Sequence, residues 1–360
     1  MGDCACHASD LHLKWDGVGL AFVFLELTPA CNNRCAGCSN VFATQRVEPP
    51  LSGDDWIELI ERIRPHVGWI KVTGGEPTLH PDFGKIVTFL GRRSIPFRLL
   101  TNGRWPAFNR TLALLAESPV LESLLISLHG PDERSHRAFT GVPGSFGDAV
   151  SAVSRAARAQ LKAATSTVIT RYNWNRVEEL VRFALSNGAH HLAFNRYIGP
   201  PLPDLEATPE QNVCALQEVE RLISQGAPVR FGTPVPQCLL PNSTTPCLAG
   251  RAFVTVDPWG TVRPCNHSPL VVGDLFRDTL PEILRHLTGW WADVPDTCRE
   301  CDLLEMCGAG CRAEMMLRQD ALPPGRHLPL PQTRRASREP VLMGQGGSYA
   351  TTWPGRLGCG

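Results

Sequence analysis

Between about residue 20 and residue 225, short apolar runs alternate six times with amphipathic segments. The apolar runs predict strands at residues 21–28, 69–73, 97–101, 121–128, 163–170 and 191–197. The amphipathic segments predict helices at residues 54–64, 82–92, 107–117, 145–160, 174–186 and 208–225. Alternation at this spacing is typical of parallel β/α units, in which reactive groups lie at the carboxyl ends of the strands.

The composition excludes several classes of protein. The 360 residues are 43% hydrophobic and 19% charged, which is enough apolar material for a large core. The 35 basic residues balance the 35 acidic ones, which argues against a nucleic-acid partner. We expect no membrane partner and a cytoplasmic location, because residues 1–16 lack a signal peptide and the early apolar run at 18–27 is short. In a reducing compartment, the fourteen cysteines favour metal ligands or catalytic groups over disulfides.

Three cysteines follow the first predicted strand in a C-x3-C-x2-C pattern. Cys31, Cys35 and Cys38 lie on one short loop, where three thiolates could hold three irons of a [4Fe–4S] cube. Such a cube would keep its fourth iron open for another ligand. Zinc remains an alternative, although it needs a fourth ligand, and no further Cys or His occurs before His66.

A glycine pair and a carboxylate follow the second predicted strand, in Gly74, Gly75, Glu76 and Pro77. Glycines allow the backbone to approach a ligand closely, and a glutamate can accept hydrogen bonds from an ammonium group. A surface turn would use the same residues. Their position at the same predicted edge as the cysteine loop favours a shared site.

Together these two loops resemble those of the radical S-adenosylmethionine (radical SAM) superfamily, over roughly residues 20 to 200. The resemblance implies that Cys31, Cys35 and Cys38 bind a [4Fe–4S] cluster whose open iron chelates SAM. It also implies that Gly74, Gly75, Glu76 and Pro77 bind the methionine end of SAM. The family fold is a partial (β/α)6 TIM-like barrel, which agrees with the six predicted units. Reduction of the cluster would cleave SAM to methionine and a 5′-deoxyadenosyl radical, which abstracts hydrogen from a substrate carbon.

Two further strand ends are similar to those of the family. The resemblance implies a SAM contact for Ser127, at the end of the fourth predicted strand. His129 follows two residues later and is either a group of the substrate pocket or a structural histidine. With a small-molecule substrate, we expect His129 and Asn195 to line its pocket.

A second group of cysteines follows residue 231. Cys298, Cys301, Cys307 and Cys311 form C-x2-C-x5-C-x3-C, and a predicted hairpin at 253–265 separates Cys247 from Cys265. On spacing alone, a zinc ribbon and an iron–sulfur site fit equally well.

Beside the first motif, this pattern resembles a SPASM domain, the auxiliary-cluster extension of radical SAM enzymes. The resemblance implies two auxiliary [4Fe–4S] clusters. One would use Cys247, Cys265 and Cys311, with Cys238 as candidate fourth ligand. The other would use Cys298, Cys301 and Cys307, and its fourth ligand stays open between Cys359, another residue and the substrate. Cys4 and Cys6 match no motif.

The predicted fold class is therefore α/β: a partial (β/α)6 TIM-like barrel followed by a small cysteine-rich auxiliary-cluster domain. We expect an N-terminal extension at 1–19, the barrel at 20–230, the SPASM domain at 231–321 and a flexible tail at 322–360.

The resemblance implies a radical SAM enzyme that oxidatively modifies a ribosomal peptide or protein. One alternative is modification of a small cofactor precursor such as a tetrapyrrole, and another is a non-catalytic iron–sulfur or zinc scaffold. Expected partners are SAM and a reductant such as flavodoxin or ferredoxin. Only about 20 residues precede the first predicted strand, fewer than a small domain needs, so we expect a peptide substrate either to dock on the barrel or SPASM surface or to arrive with a separate leader-binding protein.

Overall fold

The computed structural model of the protein describes residues 19–40, 48–240, 243, 245–287, 290 and 294–318. Its strands are β1 Leu20–Glu26, β2 Val67–Thr73, β3 Phe97–Thr101, β4 Leu121–Ser127, β5 Ala163–Val168, β6 His191–Asn195, β7 Val229–Phe231, β8 Phe253–Val256, β9 Thr261–Arg263 and β10 Gly273–Asp274. They form one sheet in the spatial order β10-β9-β8-β1-β2-β3-β4-β5-β6-β7. Strands β1 to β7 are parallel and follow chain order, as in a partial TIM-like barrel.

The helices connect these strands. They are α1 Gly53–Ile63, α2 Phe83–Arg92, α3 Phe108–Ala116, α4 Glu133–Thr140, α5 Ser145–Arg158, α6 Val177–Ser186, α7 Pro209–Ser224, α8 Leu280–His286, α9 Asp296–Arg299, α10 Leu304–Cys307 and α11 Arg312–Arg318. Short 3₁₀ turns lie at Arg64–His66 and Pro77–Leu79.

Helix α1 illustrates why these segments are helical. The Ser52 side chain accepts a hydrogen bond from the Asp55 amide, and the Asp55 carboxylate accepts one from the Ser52 amide, which forms a capping box. Its apolar residues recur at helical spacing, and Trp56, Leu59 and Ile60 are buried. Burial of each such aliphatic side chain stabilises the fold by roughly 1.5–3 kcal/mol. This face fixes α1 against the sheet.

The two faces of the sheet have different roles. Val23 and Leu25 of β1 belong to the main core cluster, which they share with side chains of the surrounding helices. Side chains alternate along a strand, so Phe22, Phe24 and Glu26 point to the opposite face. That face is the interior of the partial barrel.

The cysteine-rich region continues the sheet of the barrel. Strand β8 pairs in parallel with β1, from Phe22 opposite Phe253 to Leu25 opposite Val256. The turn after β8 leads into β9, which pairs antiparallel with β8 and confirms the predicted hairpin. The segment after β9, which carries Cys265, contacts the end of β1 through the Asn266 side chain, which donates to Glu26 at 3.0 Å.

Two elements escaped the sequence prediction. Helix α4 lies between β4 and the predicted helix at 145–160, and β7 adds a seventh parallel strand. Helix α4 is mostly polar, although Asp132 caps its first turn and Gly141 ends it with φ 71°. Strand β7 has three residues, too few for a periodic signal, and the boundary predicted at residue 230 falls within it.

Within the described ranges, no helix has the length and the apolar character needed to cross a bilayer.

Candidate active site

The first cysteine loop leaves the sheet directly after β1. The Leu27 amide still donates to the Thr73 carbonyl oxygen, at 2.9 Å. The indole of Trp56 in α1 donates to the Leu27 carbonyl oxygen at 3.2 Å. The loop therefore starts from a point that is fixed by both β2 and α1.

The three thiols of this loop lie within electrostatic reach of one another. Cys31, Cys35 and Cys38 are free thiols. Burial raises the pKa of Cys35, and the charges of Cys38 and Cys31 raise it further. Cys31 and Cys38 are exposed, so the loop presents thiols on its open side.

Helix α4 supports the middle of the loop. The Arg34 amide donates to the Thr140 carbonyl oxygen, and the Ala36 amide donates to that of Phe139, both at 3.0 Å. Because carbonyl groups at a helix end lack partners within the helix, α4 can bind the loop backbone directly. The helix that the sequence prediction missed therefore shapes the cysteine loop.

The glycine pair lies flat against the start of the cysteine loop. The Gly75 amide donates to the Thr28 carbonyl oxygen at 2.7 Å, and the next amide donates to that of Ala30 at 2.8 Å. A Cβ atom on Gly75 would lie 2.3 Å from the Ala30 oxygen, and one on Gly74 would lie 2.7 Å from the Thr28 oxygen. Only residues without a Cβ atom allow this approach. The glycines therefore join the two loops into one surface.

Glu76 is completely buried beneath this surface. Its carboxylate accepts hydrogen bonds from the Thr101 hydroxyl at 2.9 Å, the Asn102 amide at 2.8 Å and the Thr78 hydroxyl at 2.7 Å. Burial raises the pKa of Glu76, and these hydrogen bonds oppose that change. The carboxylate thus holds the ends of β2 and β3 together.

Asn102 extends this network to the cysteine loop. Its side-chain amide donates to the Asn32 side-chain oxygen at 2.8 Å and lies 3.7 Å from the Cys31 sulfur. The ends of β1, β2 and β3 are therefore linked through hydrogen bonds to one carboxylate.

Polar side chains continue along the ends of the next strands. Ser127 on β4 lies opposite Ser166 on β5 in the strand register. The Asn195 side chain on β6 donates to the Ser166 hydroxyl at 2.9 Å. Ser127 and Asn195 thus belong to one polar row, and Ser166 is a member that the sequence reasoning missed.

His129 is fixed by backbone groups and by an aromatic ring. Its Nδ1 accepts a hydrogen bond from the Val168 amide at 3.2 Å, and its own amide donates to His136 Nδ1 at 3.1 Å. Its ring centroid lies 4.1 Å from that of Phe139. Burial and the neighbouring charge of His136 lower the pKa of His129 well below its usual value. A neutral imidazole with its Nδ1 occupied favours the structural alternative over an acid–base group.

Three cysteines of the second group are buried together. Cys247, Cys265 and Cys311 are 6%, 8% and 6% exposed. Burial raises the pKa of each thiol, and the charges of Cys247 and Cys265 further raise that of Cys311. The second thiol set that the sequence predicts is therefore assembled in the interior.

Buried arginines surround these three thiols. The charges of Arg312, Arg263 and Arg196 oppose the effect of burial at Cys247, Cys265 and Cys311, respectively. All three arginines are at least 94% buried. Cations in such surroundings stabilise an anionic group.

The remaining three motif cysteines lie nearer the surface. Tight turns connect them: the Cys301 amide donates to the Cys298 carbonyl oxygen at 3.1 Å, and the Cys307 amide donates to that of Leu303 at 2.8 Å. Burial raises the pKa of Cys238, and the charges of Cys307, Cys298 and Cys301 raise it further. Cys238 therefore lies within electrostatic reach of this exposed set.

A buried ion pair lies between the first cysteine loop and the buried thiols. Arg263 on β9 pairs with Glu26 at the end of β1, and Asn266 donates to the same carboxylate at 3.0 Å. The charge of Glu26 reaches Cys38, and that of Arg263 reaches Cys265. Glu26 and Arg263 are 237 residues apart, and no motif in the sequence pointed to this pair.

The donor set suits an iron–sulfur cluster. Among the described residues, no three His, Cys, Asp or Glu side chains are arranged to hold one metal ion. A [4Fe–4S] cube does not require that arrangement, because each thiolate binds a different iron. The three free thiols of the first loop are the candidate ligands of such a cluster. Cys4, Cys6 and Cys359 lie outside the described residues.

Similar proteins include enzymes of two substrate classes. The "PqqA peptide cyclase" of Xanthomonas campestris pv. campestris is 27% identical over 323 residues, covering 82% of each chain. The "AdoMet-dependent heme synthase" of Nitratidesulfovibrio vulgaris is 25% identical over 324 residues, covering 80% of this chain and 86% of the relative.

Solved structures share the fold. Streptococcus suis SuiB matches with a TM-score of 0.67 at 16% identity, over 83% of this chain and 74% of that one. A structure of anSMEcpe with bound AdoMet matches with a TM-score of 0.66 at 17% identity, over 82% of this chain and 89% of that one. Both likenesses support the arrangement of barrel and cysteine-rich region.

A family model described as "Radical SAM superfamily" matches residues 25–184. The match runs from Leu25 in β1 to Ala184 in α6, the part of the sheet that carries the cysteine loop, the glycine pair, and Ser127 and Ser166 of the polar row. Residues 25–184 therefore form a radical SAM domain, and that family implies a [4Fe–4S] cluster that binds SAM.

Proposed function

We propose that this enzyme removes a hydrogen atom from a carbon of a ribosomally made peptide or protein and leaves an oxidised product. The observation that carries the proposal is the pairing of β8 with β1, from Phe22 opposite Phe253 onward. This pairing joins the cysteine-rich region to the strand that leads into the SAM loop. Oxidative chemistry needs both a radical source and an electron acceptor, and the pairing of β8 with β1 supports a position of the two beside each other.

The first loop would hold the SAM cluster through Cys31, Cys35 and Cys38. When bound and reduced, the cluster supplies one electron that cleaves SAM to methionine and a 5′-deoxyadenosyl radical. The backbone of Gly74 and Gly75, held by the buried Glu76 network, would position the methionine end. Pro77 would fix the exit of that loop, and Ser127 would contact SAM from β4.

The cysteine-rich region, which we assign to residues 231–321 as a SPASM-type domain, would hold two auxiliary [4Fe–4S] clusters. Loss of one hydrogen atom leaves a carbon radical on the substrate. When that carbon bonds to a second substrate atom, one proton and one electron leave. The buried site of Cys247, Cys265 and Cys311 suits the acceptor role, because surrounding guanidinium charges favour the more negative, reduced state of a cluster.

A peptide substrate is favoured by the relatives. The name of the Xanthomonas campestris relative states that it acts on the PqqA peptide. SuiB, which shares the fold at a TM-score of 0.68 in its complex, has been crystallised with the precursor peptide SuiA. These likenesses support the substrate class and leave the particular peptide open.

A small cofactor precursor such as a tetrapyrrole is the second candidate. It is favoured by the relative described as a heme synthase. That relative is 25% identical to this chain, nearly as similar as the peptide cyclase at 27%. The polar row of Ser127, Ser166 and Asn195 would then line the substrate pocket. The enzyme class of these relatives counts against the non-catalytic scaffold.

The proposed chemistry also needs partners. A low-potential reductant such as flavodoxin or ferredoxin would reduce the SAM cluster, and a separate leader-binding protein would help to deliver a peptide. We place the enzyme in the cytoplasm, where reducing conditions keep grouped thiols available for clusters.

Isotope transfer tests the proposed substrate class. Candidate substrates deuterated at carbon are incubated with the reconstituted enzyme, SAM and a reductant, and deuterium in 5′-deoxyadenosine is measured by mass spectrometry. We expect transfer from a short peptide encoded beside the gene, and none with the Cys35→Ala variant. Transfer only from a tetrapyrrole precursor, with every neighbouring peptide inert, would overturn the peptide assignment.

A further inference from the structure

Besides Cys247, Cys265 and the four cysteines of the C-x2-C-x5-C-x3-C segment, the cysteine-rich region contains one further thiol, that of Cys238. Cys238 precedes β8 and stands apart in sequence from the cysteines of the C-x2-C-x5-C-x3-C segment. We propose that Cys238 is the fourth thiolate of the exposed site and completes it with Cys298, Cys301 and Cys307. This inference rests on the auxiliary clusters of the proposed function.

The backbone brings the two segments together. Pro236 packs directly on Gly310, where an added Cβ atom would lie 3.0 Å from the proline ring. Gly310 lies three residues after Cys307 and directly before Cys311, and Pro236 lies two residues before Cys238, so this contact places Cys238 beside the end of the cysteine motif. The amides of Leu239 and Leu240 both donate to the Pro236 carbonyl oxygen, at 2.9 and 3.1 Å, so a tight turn holds Cys238 beside this contact.

The Arg196 side chain links the segment before Cys238 to the segment after the cysteine motif. Arg196 donates to the Pro234 carbonyl oxygen at 3.1 Å and forms two hydrogen bonds with the Glu314 carboxylate, at 2.8 and 3.1 Å. Arg196 is 94% buried, so water cannot easily replace these bonds. The turn that carries Cys238 is therefore anchored to the chain that follows the cysteine motif.

Cys238 and the buried Cys247 lie on two segments that are hydrogen-bonded to each other, and the two thiols differ in burial. The Val235 amide donates to the Thr245 carbonyl oxygen at 3.2 Å, and the Gln237 side chain donates to that of Ser243 at 2.9 Å. These bonds close a loop that contains Cys238, whereas Cys247 follows the point of closure. Cys238 is exposed and Cys247 is buried.

The charges agree with this division. The thiols that raise the pKa of Cys238 are Cys307, Cys298 and Cys301, whereas those that raise the pKa of Cys311 are Cys247 and Cys265. The exposed site then has four thiolates and the buried site has three. Four thiolates saturate a [4Fe–4S] cube, and three leave one iron of the buried cluster without a cysteine.

Metal counting in paired variants tests the assignment. The background carries Cys31→Ala, Cys35→Ala and Cys38→Ala, so that only the auxiliary sites bind metal, which for two cubes is about eight irons per chain. Cys301→Ala should remove the iron of the exposed cluster, and the further substitution Cys238→Ala in that variant should remove no additional iron. Cys265→Ala should remove the buried cluster, and adding Cys238→Ala should then remove most of the remaining iron. Cys359→Ala is the matched control and should keep all of it.

The opposite pattern would overturn the inference. Loss of a cluster with Cys359→Ala, or loss of the buried cluster with Cys238→Ala, would assign the fourth ligand elsewhere. Because Cys238 is exposed, its replacement leaves the core intact, and circular dichroism checks the fold. Zinc instead of iron in the background variant would contradict the auxiliary clusters of the proposed function. The same variants would still show whether Cys238 belongs with Cys301, because the metal lost by each variant is counted whichever metal it is.

Discussion

A single carboxylate, that of Glu76, joins the strand ends that form the candidate SAM site. Its oxygens accept hydrogen bonds from Thr78, Thr101 and Asn102, and Asn102 in turn contacts the loop of Cys31. A buried acceptor with several donors fixes its neighbours because each donor would be left unsatisfied without it. Under the proposed function, Glu76 would act on SAM through the position of the backbone around it.

Replacing this carboxylate by an amide tests its role. In Glu76→Gln, one oxygen becomes a donor that faces the hydroxyl and amide donors of Thr101 and Asn102. We expect the free energy of unfolding to fall by about 1–3 kcal/mol and SAM cleavage to be lost. Urea denaturation and 5′-deoxyadenosine release measure the two effects. Glu117→Gln, at an exposed glutamate, is the control, and equal effects of both variants would contradict this account.

The ion pair of Glu26 and Arg263 offers a second test. Removing one partner of a buried pair leaves the other charge uncompensated, at a cost of about 3–5 kcal/mol. We expect Glu26→Gln to cause such a loss and Arg263→Met to relieve much of it in the double variant. Denaturant unfolding of the two single variants and the double variant measures the coupling. Strictly additive losses would show that the two side chains stabilise the protein independently.

At the scale of elements, α4 connects the barrel to the cysteine loop. Its last carbonyl groups accept hydrogen bonds from Arg34 and Ala36, and the chain leaves the helix through Gly141. A Cβ atom on Gly141 would lie 2.8 Å from the Arg34 carbonyl oxygen. The end of α4 therefore positions the cysteine loop through two backbone hydrogen bonds and through the close approach of Gly141 to Arg34.

Two glycines near this helix end form a matched pair. Gly141 and Gly144 have φ of 71° and 77°, so alanine strains the backbone similarly at both. A Cβ atom on Gly144 would meet no atom within 4 Å, whereas one on Gly141 meets the cysteine loop. We expect Gly141→Ala to lose the first cluster and Gly144→Ala to keep it, as shown by iron content and the electron paramagnetic resonance of the reduced, SAM-bound cluster. Equal iron in the two variants would contradict the role of α4.

The elements that sequence could predict are those with long periodic patterns. The six β/α units and the hairpin before Cys265 follow from apolar alternation, and the structure confirms them. Helix α4 was missed because its eight residues are mostly polar, and its burial depends on contacts with residues distant in the chain. The pair of Glu26 and Arg263 could not be predicted, because only the folding of β8 onto β1 brings the two together.

Across the whole molecule, the candidate cluster sites differ in burial. The thiols of Cys247, Cys265 and Cys311 are interior, whereas Cys238 and Cys301 are exposed. Arg196 lies between the two sets. Burial lowers the pKa of its guanidinium group, but the charges of Glu314, Cys311 and Cys238 raise it, and the net change is a raised pKa. Under the proposed function, this order would give an electron a route from the barrel, past the buried site, toward the surface.

Buried histidines make the stability of the molecule sensitive to acid. Burial lowers the pKa of His136 to about 4, and in the unfolded chain its pKa is about 6.5. The unfolded state therefore binds the proton first, and the free energy of unfolding falls as the pH drops from about 6.5 to 4. One such group contributes a slope of roughly 1.4 kcal/mol per pH unit.

Asparagine in place of His136 removes the titrating imidazole and keeps a hydrogen-bond acceptor. In His136→Asn, the side-chain oxygen can replace Nδ1 as the partner of the His129 amide. We expect the slope of the free energy of unfolding against pH to decrease by the amount that the binding of about one proton contributes. Denaturant unfolding between pH 4 and 7 measures this slope. An unchanged slope would assign the acid sensitivity to other groups, such as His191, whose pKa is also lowered to about 4, chiefly by burial.

The most direct test concerns the first cysteine loop. The enzyme and its variant with Cys31→Ala, Cys35→Ala and Cys38→Ala are reconstituted anaerobically, and iron and 5′-deoxyadenosine are measured for each. Three [4Fe–4S] clusters predict about twelve irons per chain in the enzyme and about eight in the variant. The account predicts that the variant loses this third of the iron and all SAM cleavage. A variant that keeps its full iron, or that still releases 5′-deoxyadenosine, would contradict it.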